Sequence, residues 1–316
     1  MILKKLLLVI IFMCAFSLSL VGSVQPQSNP LNSQLRRIQL EGIFSHIAIK
    51  LVYLILNKKM LDLLPHTSGQ TIDFVKSIGD EHTIPDDYSV KLGAPGLYGA
   101  GVGTIIVEQG PYRHYYVGSS IDKTLDDLEN ATNDDEKEAA LAQLDEYTGI
   151  LDHEFGHYKN HDTRNGFLAS CAFNLAAATA YFSFEHFCLA KSIASWNDTQ
   201  KKAYCYASGI GLSLCNIFFD LWYQVRCEKR ADEHVRNKAP ILKAMINWSQ
   251  RMQHTINDSL STSWMGKKLA AGIEKYPSLY YLLDPVHPPL PYREARFKER
   301  LAELEKNSEN AQVVNS

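Results

Sequence analysis

Apolar residues gather in a few blocks along the chain, and each block has its own rhythm. Residues 6–20 are almost uninterruptedly apolar behind Lys4 and Lys5. Residues 43–64 are apolar too, but His46, Lys50, Lys58 and Lys59 interrupt them, which predicts an amphipathic helix lying on the domain core or, as the alternative, on a membrane surface. Between 92 and 120 the texture changes: the β-branched stretch 101–107 and the stretch 112–117 flank Gly110-Pro111, the pattern of a short antiparallel hairpin. Thr132-Asn133-Asp134 then offers N-cap residues for a helix that runs on without proline. Along it Leu144, Thr148, Leu151 and Phe155 are spaced four, three and four, one stripe that can pack on the body. Two further apolar runs follow, 167–184 containing Asn174 and 204–222 broken by Asn216 and Asp220, with a polar loop at 185–202 between them.

That last pair can be read as two membrane spans or as two buried core helices, since both sit at the short limit for crossing a bilayer. The balance tips toward insertion. Two crossings return the chain to its starting side, so residues before 167 and after 222 can build one site. Lys191, Lys201 and Lys202 of the loop would share a side with Lys4 and Lys5, as the positive-inside tendency prefers.

Composition narrows the picture. The chain has 316 residues, a net charge of -3 and a pI near 6.4, which gives no reason to expect a nucleic-acid partner. Residues 1–23 have the layout of an export signal ending in Val21-Gly22-Ser23, or of an uncleaved anchor; either way the remainder is expected to be exported and membrane-associated or extracytoplasmic. Residues 24–37, rich in Gln, Ser, Asn and Pro, read as a linker, residues 38–305 as the catalytic domain, and the Asn/Ser/Gln-rich stretch 306–316 as a disordered tail. Cys14 falls in the leader, while the other five cysteines lie between Cys171 and Cys227 along the apolar runs. They are expected mostly as buried free thiols, with one disulfide possible.

The chemistry concentrates in His153-Glu154-Phe155-Gly156-His157. On a helix the two histidines are one turn apart and share a face, so both imidazoles can reach one tetrahedral zinc ion. Glu154 beside them can take a proton from the metal's water. His153 lies two residues past Leu151, roughly 200° around the helix, so the histidine face points away from the apolar stripe. A third protein ligand is still needed. Threonine stands at 163 and alanine at 177, where two common zinc-peptidase spacings would place it, and Glu185 falls between the apolar runs. Glu228 in Glu228-Lys-Arg-Ala-Asp232 is the better candidate: Glu228 and Asp232 share a helix face, so one can bind metal while the other accepts a hydrogen bond from a ligand imidazole.

With these residues in view the chain resembles the membrane-associated zinc metallopeptidases of the HtpX and CAAX prenyl protease type, gluzincins with HExxH followed by ExxAD. Three segments carry the resemblance, in order: His153–His157, Glu228–Asp232 and His287-Pro-Pro-Leu-Pro-Tyr-Arg293, which looks like the family's late HPPxxxR segment. The resemblance covers about residues 90–305. It implies one Zn2+ on His153, His157 and Glu228, Glu154 as general base, and Asp232 behind a ligand. It further implies that His287 steadies the oxyanion and that Arg293 fixes its loop or the acidic metal helix.

The expected fold is mainly α within an α+β, zincin-like class. A small antiparallel sheet would lie beside the HExxH helix, and an apolar helical hairpin at 167–222 between the HExxH and ExxAD helices. The expected activity is hydrolysis of peptide bonds in protein or peptide substrates. The alternative is a catalytically silent, zinc-stabilised envelope chaperone or assembly factor.

Overall fold

The computed structural model describes residues 69–83, 88–92, 105–109, 114–117 and 121–314, the short extended segments by their backbone alone. The leader, the linker and the amphipathic helix expected at 43–64 lie outside the described residues. The described chain falls into two compact units, one holding 167–220 and the other the segments before and after it.

In the larger unit, helix α1 (Gly69–Glu81) is followed by α2 (Ile121–Glu129) and the 26-residue α3 (Asp134–Lys159). The start of α3 is fixed by reciprocal bonds. Asn133 Oδ1 accepts the Glu136 N–H at 2.9 Å, and the Glu136 carboxylate accepts from the Thr132 N–H and hydroxyl. The stripe foreseen on α3 is buried: Leu144, Leu151 and Phe155 pack with Tyr147 against Val75 and Ile78 of α1 and Ile121 of α2.

A second cluster joins α7 (Ala239–Ser261) to α9 (Leu290–Val314) through Ile241, Leu242, Met245, Ile246 and Phe297. A third gathers Ile273 of α8 (Trp264–Lys275), Tyr280 of a 3-10 turn and Leu290. Helix α9 continues to Val314, so residues 306–314 are helical where their composition predicts disorder. No proline or glycine interrupts the sequence after Tyr292. Asn, Ser and Gln cost only a few tenths of a kcal/mol each once a helix is under way.

The α+β expectation is corrected. Every residue of the three hydrophobic clusters lies on a helix or on the turn that ends one, so the core of the described residues is all-helical. Three backbone segments of four or five residues, Tyr88–Leu92, Ile105–Gln109 and His114–Val117, run extended and pair antiparallel, but no described core or site residue lies on them. Segments so short present two or three side chains per face, whereas a single helical stripe such as that of α3 presents a residue at every turn over 26.

The smaller unit is an antiparallel helix pair formed by α4 (Asp162–Phe184) and α6 (Asp198–His234), each of which begins or ends in the larger unit. The Ser170 hydroxyl donates to Asp220, Asn216 Nδ2 donates to Asn174 Oδ1, and the Phe173 and Phe219 rings stack at 4.3 Å. The polar loop expected at 185–202 is mostly helical. A single π-helical turn, Glu185–Leu189, leads into α5 (Ala190–Ser195), and only Trp196 and Asn197 precede α6. Asn197 and Gln200 cap α6 reciprocally, which is why it starts there.

The stretch Arg164–Ser195 is, among the described residues, the one helix long and apolar enough to cross a membrane. Of the described cysteines, Cys171, Cys205 and Cys227 are buried, Cys188 and Cys215 are exposed, and all five are free thiols.

Candidate metal centre

Two helices of the larger unit bring the centre together. The α3 face opposite its apolar stripe carries His153 and His157, and the C-terminal third of α6 carries Glu228 and Asp232 one turn apart. Gly156 lets the two helices touch. A Cβ built there would stand 3.0 Å from the Ala231 Cα and 2.9 Å from the His234 Cβ, so the second variable letter of the motif has no room for a side chain.

The donor atoms converge. His153 Nε2 lies 3.1 Å from one Glu228 oxygen, His157 Nε2 lies 3.2 Å from the other, and the two Nε2 atoms are 3.2 Å apart. His153, His157 and Glu228 could hold a metal ion.

Each imidazole is fixed from behind by its own carboxylate. His153 Nδ1–H donates to Asp232 at 2.9 Å, and His157 Nδ1–H donates to Asp162 at 2.9 Å. A carboxylate can only accept, so both rings carry the Nδ1 proton and turn Nε2 toward Glu228. The carboxylates are braced in turn. Arg293 of α9 forks onto Asp232, with its guanidinium 5.1 Å from the Trp248 ring centroid, and Arg230 donates to Asp162 at 2.8 Å.

Behind His153, the buried Asp152 accepts the Arg236 backbone N–H and Nε–H, each at 3.0 Å, and contacts His82 Nε2 at 2.7 Å. Arg236 follows the end of α6 and His82 the end of α1. Asp152 therefore ties both to the metal helix.

The electrostatics favour positive charge at the convergence point. Burial alone would lower the values of both histidines, but hydrogen bonds to Asp232 and Glu228 raise His153, and bonds to Asp162 and Glu228 lift His157 to about 10. Burial would raise Glu228, yet the two imidazoles hold it well below the carboxylate range. Asp232 is likewise lowered against burial, with Arg293 the leading cause. Glu154 is different: burial dominates and raises it, with His153, His157, Glu228 and His287 as its charged neighbours.

The structure thus brings His153, His157, Glu228 and Asp232 together, sets Glu154 at their side and places Arg293 on Asp232. His287 reaches the rim, its Nε2 3.6 Å from Glu228 Oε2. His161 sits at the turn after α3 with a positive φ of 54° and is no part of the donor set. Glu185 belongs to the smaller unit, and the His114 side chain lies outside the described residues.

No protein-family model, characterised protein or solved structure matches the chain. Function has to be read from the centre itself.

Three contributors escape a sequence reading that stops at the motifs: Asp162, Asp284 and the Asp152–Arg236 pair. Asp162 had a signal, a carboxylate five residues past the second histidine, just beyond the helix end. The turn at Asn160 and His161 curls it back onto His157 Nδ1. The Asp152–Arg236 contact spans 84 residues and leaves no local mark.

Proposed function

We propose that the protein is a zinc-dependent metalloendopeptidase that cleaves protein or peptide substrates at a membrane. The observation that carries this reading is the convergence of His153 Nε2, His157 Nε2 and Glu228 on one point, with the carboxylate of Glu154 beside it. The donor set of two imidazoles and one carboxylate is that of open catalytic zinc sites. The Nε2–Nε2 separation of 3.2 Å is close to the ~3.3 Å edge of a tetrahedron with bonds of about 2.0–2.1 Å, the zinc–nitrogen length, and Glu228 presents one carboxylate oxygen to each imidazole. Order along the chain adds support, since HExxH, a helical hairpin, ExxAD and HPPxxxR follow one another as in peptidases of the HtpX type.

Zinc bound here would acidify a water and polarise a peptide carbonyl. The rest falls to the chain's own residues. Glu154, made more basic by burial, takes the proton of the attacking water and passes it to the leaving amine. His287 faces the same side as the donors and contacts the carbonyl oxygen as charge develops on it. Asp162 and Asp232 keep the imidazoles from rotating, and Arg293 and Arg230 hold those carboxylates in turn. No residue here acts as a covalent nucleophile.

The membrane part of the reading rests on the smaller unit, which is built inside out. Asn174 and Asn216 are 1% and 2% exposed, while Ile210, Phe218 and Phe187 are 62%, 67% and 81% exposed. In water that arrangement wastes apolar surface and desolvates amides; in lipid it is the favourable one, because polar side chains bond across the helix pair and apolar ones meet the tails.

The test is cleavage of casein by the purified chain in mild detergent, wild type against Glu154→Gln. Wild type is expected to cleave and Glu154→Gln to retain zinc without cleaving. Cleavage by Glu154→Gln would rule out the assigned base. Zinc without any cleavage by wild type would favour the silent scaffold.

A further inference from the structure

His287 sits in a turn whose geometry is set by one residue. Asp284 Oδ1 accepts the backbone N–H groups of Val286 at 3.2 Å and His287 at 3.1 Å, and its Oδ2 accepts His287 Nδ1–H at 2.8 Å. A single carboxylate thus fixes the backbone before His287 and the ring itself. Pro288 and Pro289 then lead into α9, where Pro289 O accepts the N–H groups of Tyr292 and Arg293. Arg293 forks onto Asp232 while His287 Nε2 faces Glu228, so residues 284–293 engage both acidic side chains on one face of α6.

The His287 side chain is about half exposed, with Nε2 3.6 Å from Glu228 Oε2. Nothing except Asp284 holds the Nδ1 edge in place among the contacts described.

We infer that Asp284 is the positioning residue for His287, locking the ring so that Nε2 faces the open side of the metal centre where a scissile carbonyl would lie. This rests on the peptidase reading for its catalytic consequence. Its geometric content stands apart from it. A histidine without a fixed partner samples several ring angles; a carboxylate accepting from Nδ1–H fixes the ring plane, and in the imidazolium this leaves Nε2–H to donate to the substrate oxygen. Ordering the ring beforehand removes that cost from the step in which the substrate oxygen gains charge. Asp284 acts through His287 and touches no reacting atom.

Asp284→Asn separates the two jobs. Its side-chain oxygen still accepts the Val286 and His287 N–H groups, so the turn survives, but an amide NH2 now faces Nδ1 and the Nδ1–H form loses its acceptor. Expected is a fall in kcat of about 10- to 100-fold on casein-derived peptides, with KM and zinc content within about twofold of wild type. In a His287→Ala background the same substitution is expected to change nothing further. A drop of equal size in that background, or an unchanged kcat, would overturn the proposal.

An activity-free readout accompanies it: nitrogen NMR of histidine-labelled protein, with His287 assigned by the His287→Ala spectrum. Wild type is expected to show His287 with a fixed Nδ1–H and Asp284→Asn a mixture of states. Identical spectra would overturn the positioning role. If wild type cleaves nothing, the peptidase reading fails while the spectra still decide whether Asp284 holds His287.

Discussion

Asp162 and Asp232 do the same work on the two histidines, yet only one of them stands in a recognisable motif. Each accepts an Nδ1–H at 2.9 Å and each is held by an arginine. Asp162→Asn is therefore expected to weaken zinc binding by about 10- to 100-fold, as Asp232→Asn should, read by competition with a zinc chelator. An Asp162→Asn affinity equal to wild type would show that the His157 ring needs no support.

The same carboxylates set the pH response. With His157 raised to about 10, against an ordinary value near 6.5, the metal-free protein gains stability from this group below about pH 6.5 and loses it as pH rises toward about 10. Zinc must displace that proton, so its affinity is expected to rise with pH across the same window, by about tenfold per unit for each proton displaced. A pH-independent affinity between 6.5 and 9 would contradict the assigned environment. The motif histidines were legible from helical spacing, Glu154 as the residue beside them, and Glu228 and Asp232 from their shared helix face read together with HExxH and the apolar runs between. Asp162 and Asp284 were not, because a turn of backbone, invisible in a pattern of letters, decides where their carboxylates arrive.

At the scale of elements, the centre exists because α3 and α6 approach closely at Gly156. Gly156→Ala would put a methyl group against the Ala231 backbone, which cannot rotate away as a side-chain tip can. The expected result is a loss of stability of about 1–3 kcal/mol and zinc affinity reduced more than in an exposed Gly→Ala control on the same chain. Full zinc affinity with unchanged melting would mean that the helices have slack at this point.

Helix α3 was readable to within a few residues, its cap and buried stripe included, since its period and N-cap chemistry agree. The loop expected after α4 was not, because Glu185 to Ser195 is polar enough to read as solvated chain yet holds no helix breaker. The sheet failed for a different reason. Gly-rich turns and β-branched runs do mark extended backbone, but they carry no information about whether that backbone joins the core, and the described core is helical throughout.

For the whole molecule, the two units differ in which side chains they bury. The larger unit buries Leu, Ile, Met and Phe, as a body in water does; the smaller buries Ser170, Asn174, Asn216 and Asp220 and turns its large apolar side chains outward. The full chain is therefore expected to stay with the membrane pellet under alkaline carbonate extraction. Release into the supernatant would mean that another protein surface, and not lipid, covers the outward face. Across every scale the central claim is one zinc ion on His153, His157 and Glu228. The most direct measurement is zinc-edge X-ray absorption with metal stoichiometry on the purified chain. The expected result is one zinc per chain bound by nitrogen and oxygen alone, lost in Glu228→Ala. A chain without zinc, or zinc held by cysteine sulfur, would contradict it.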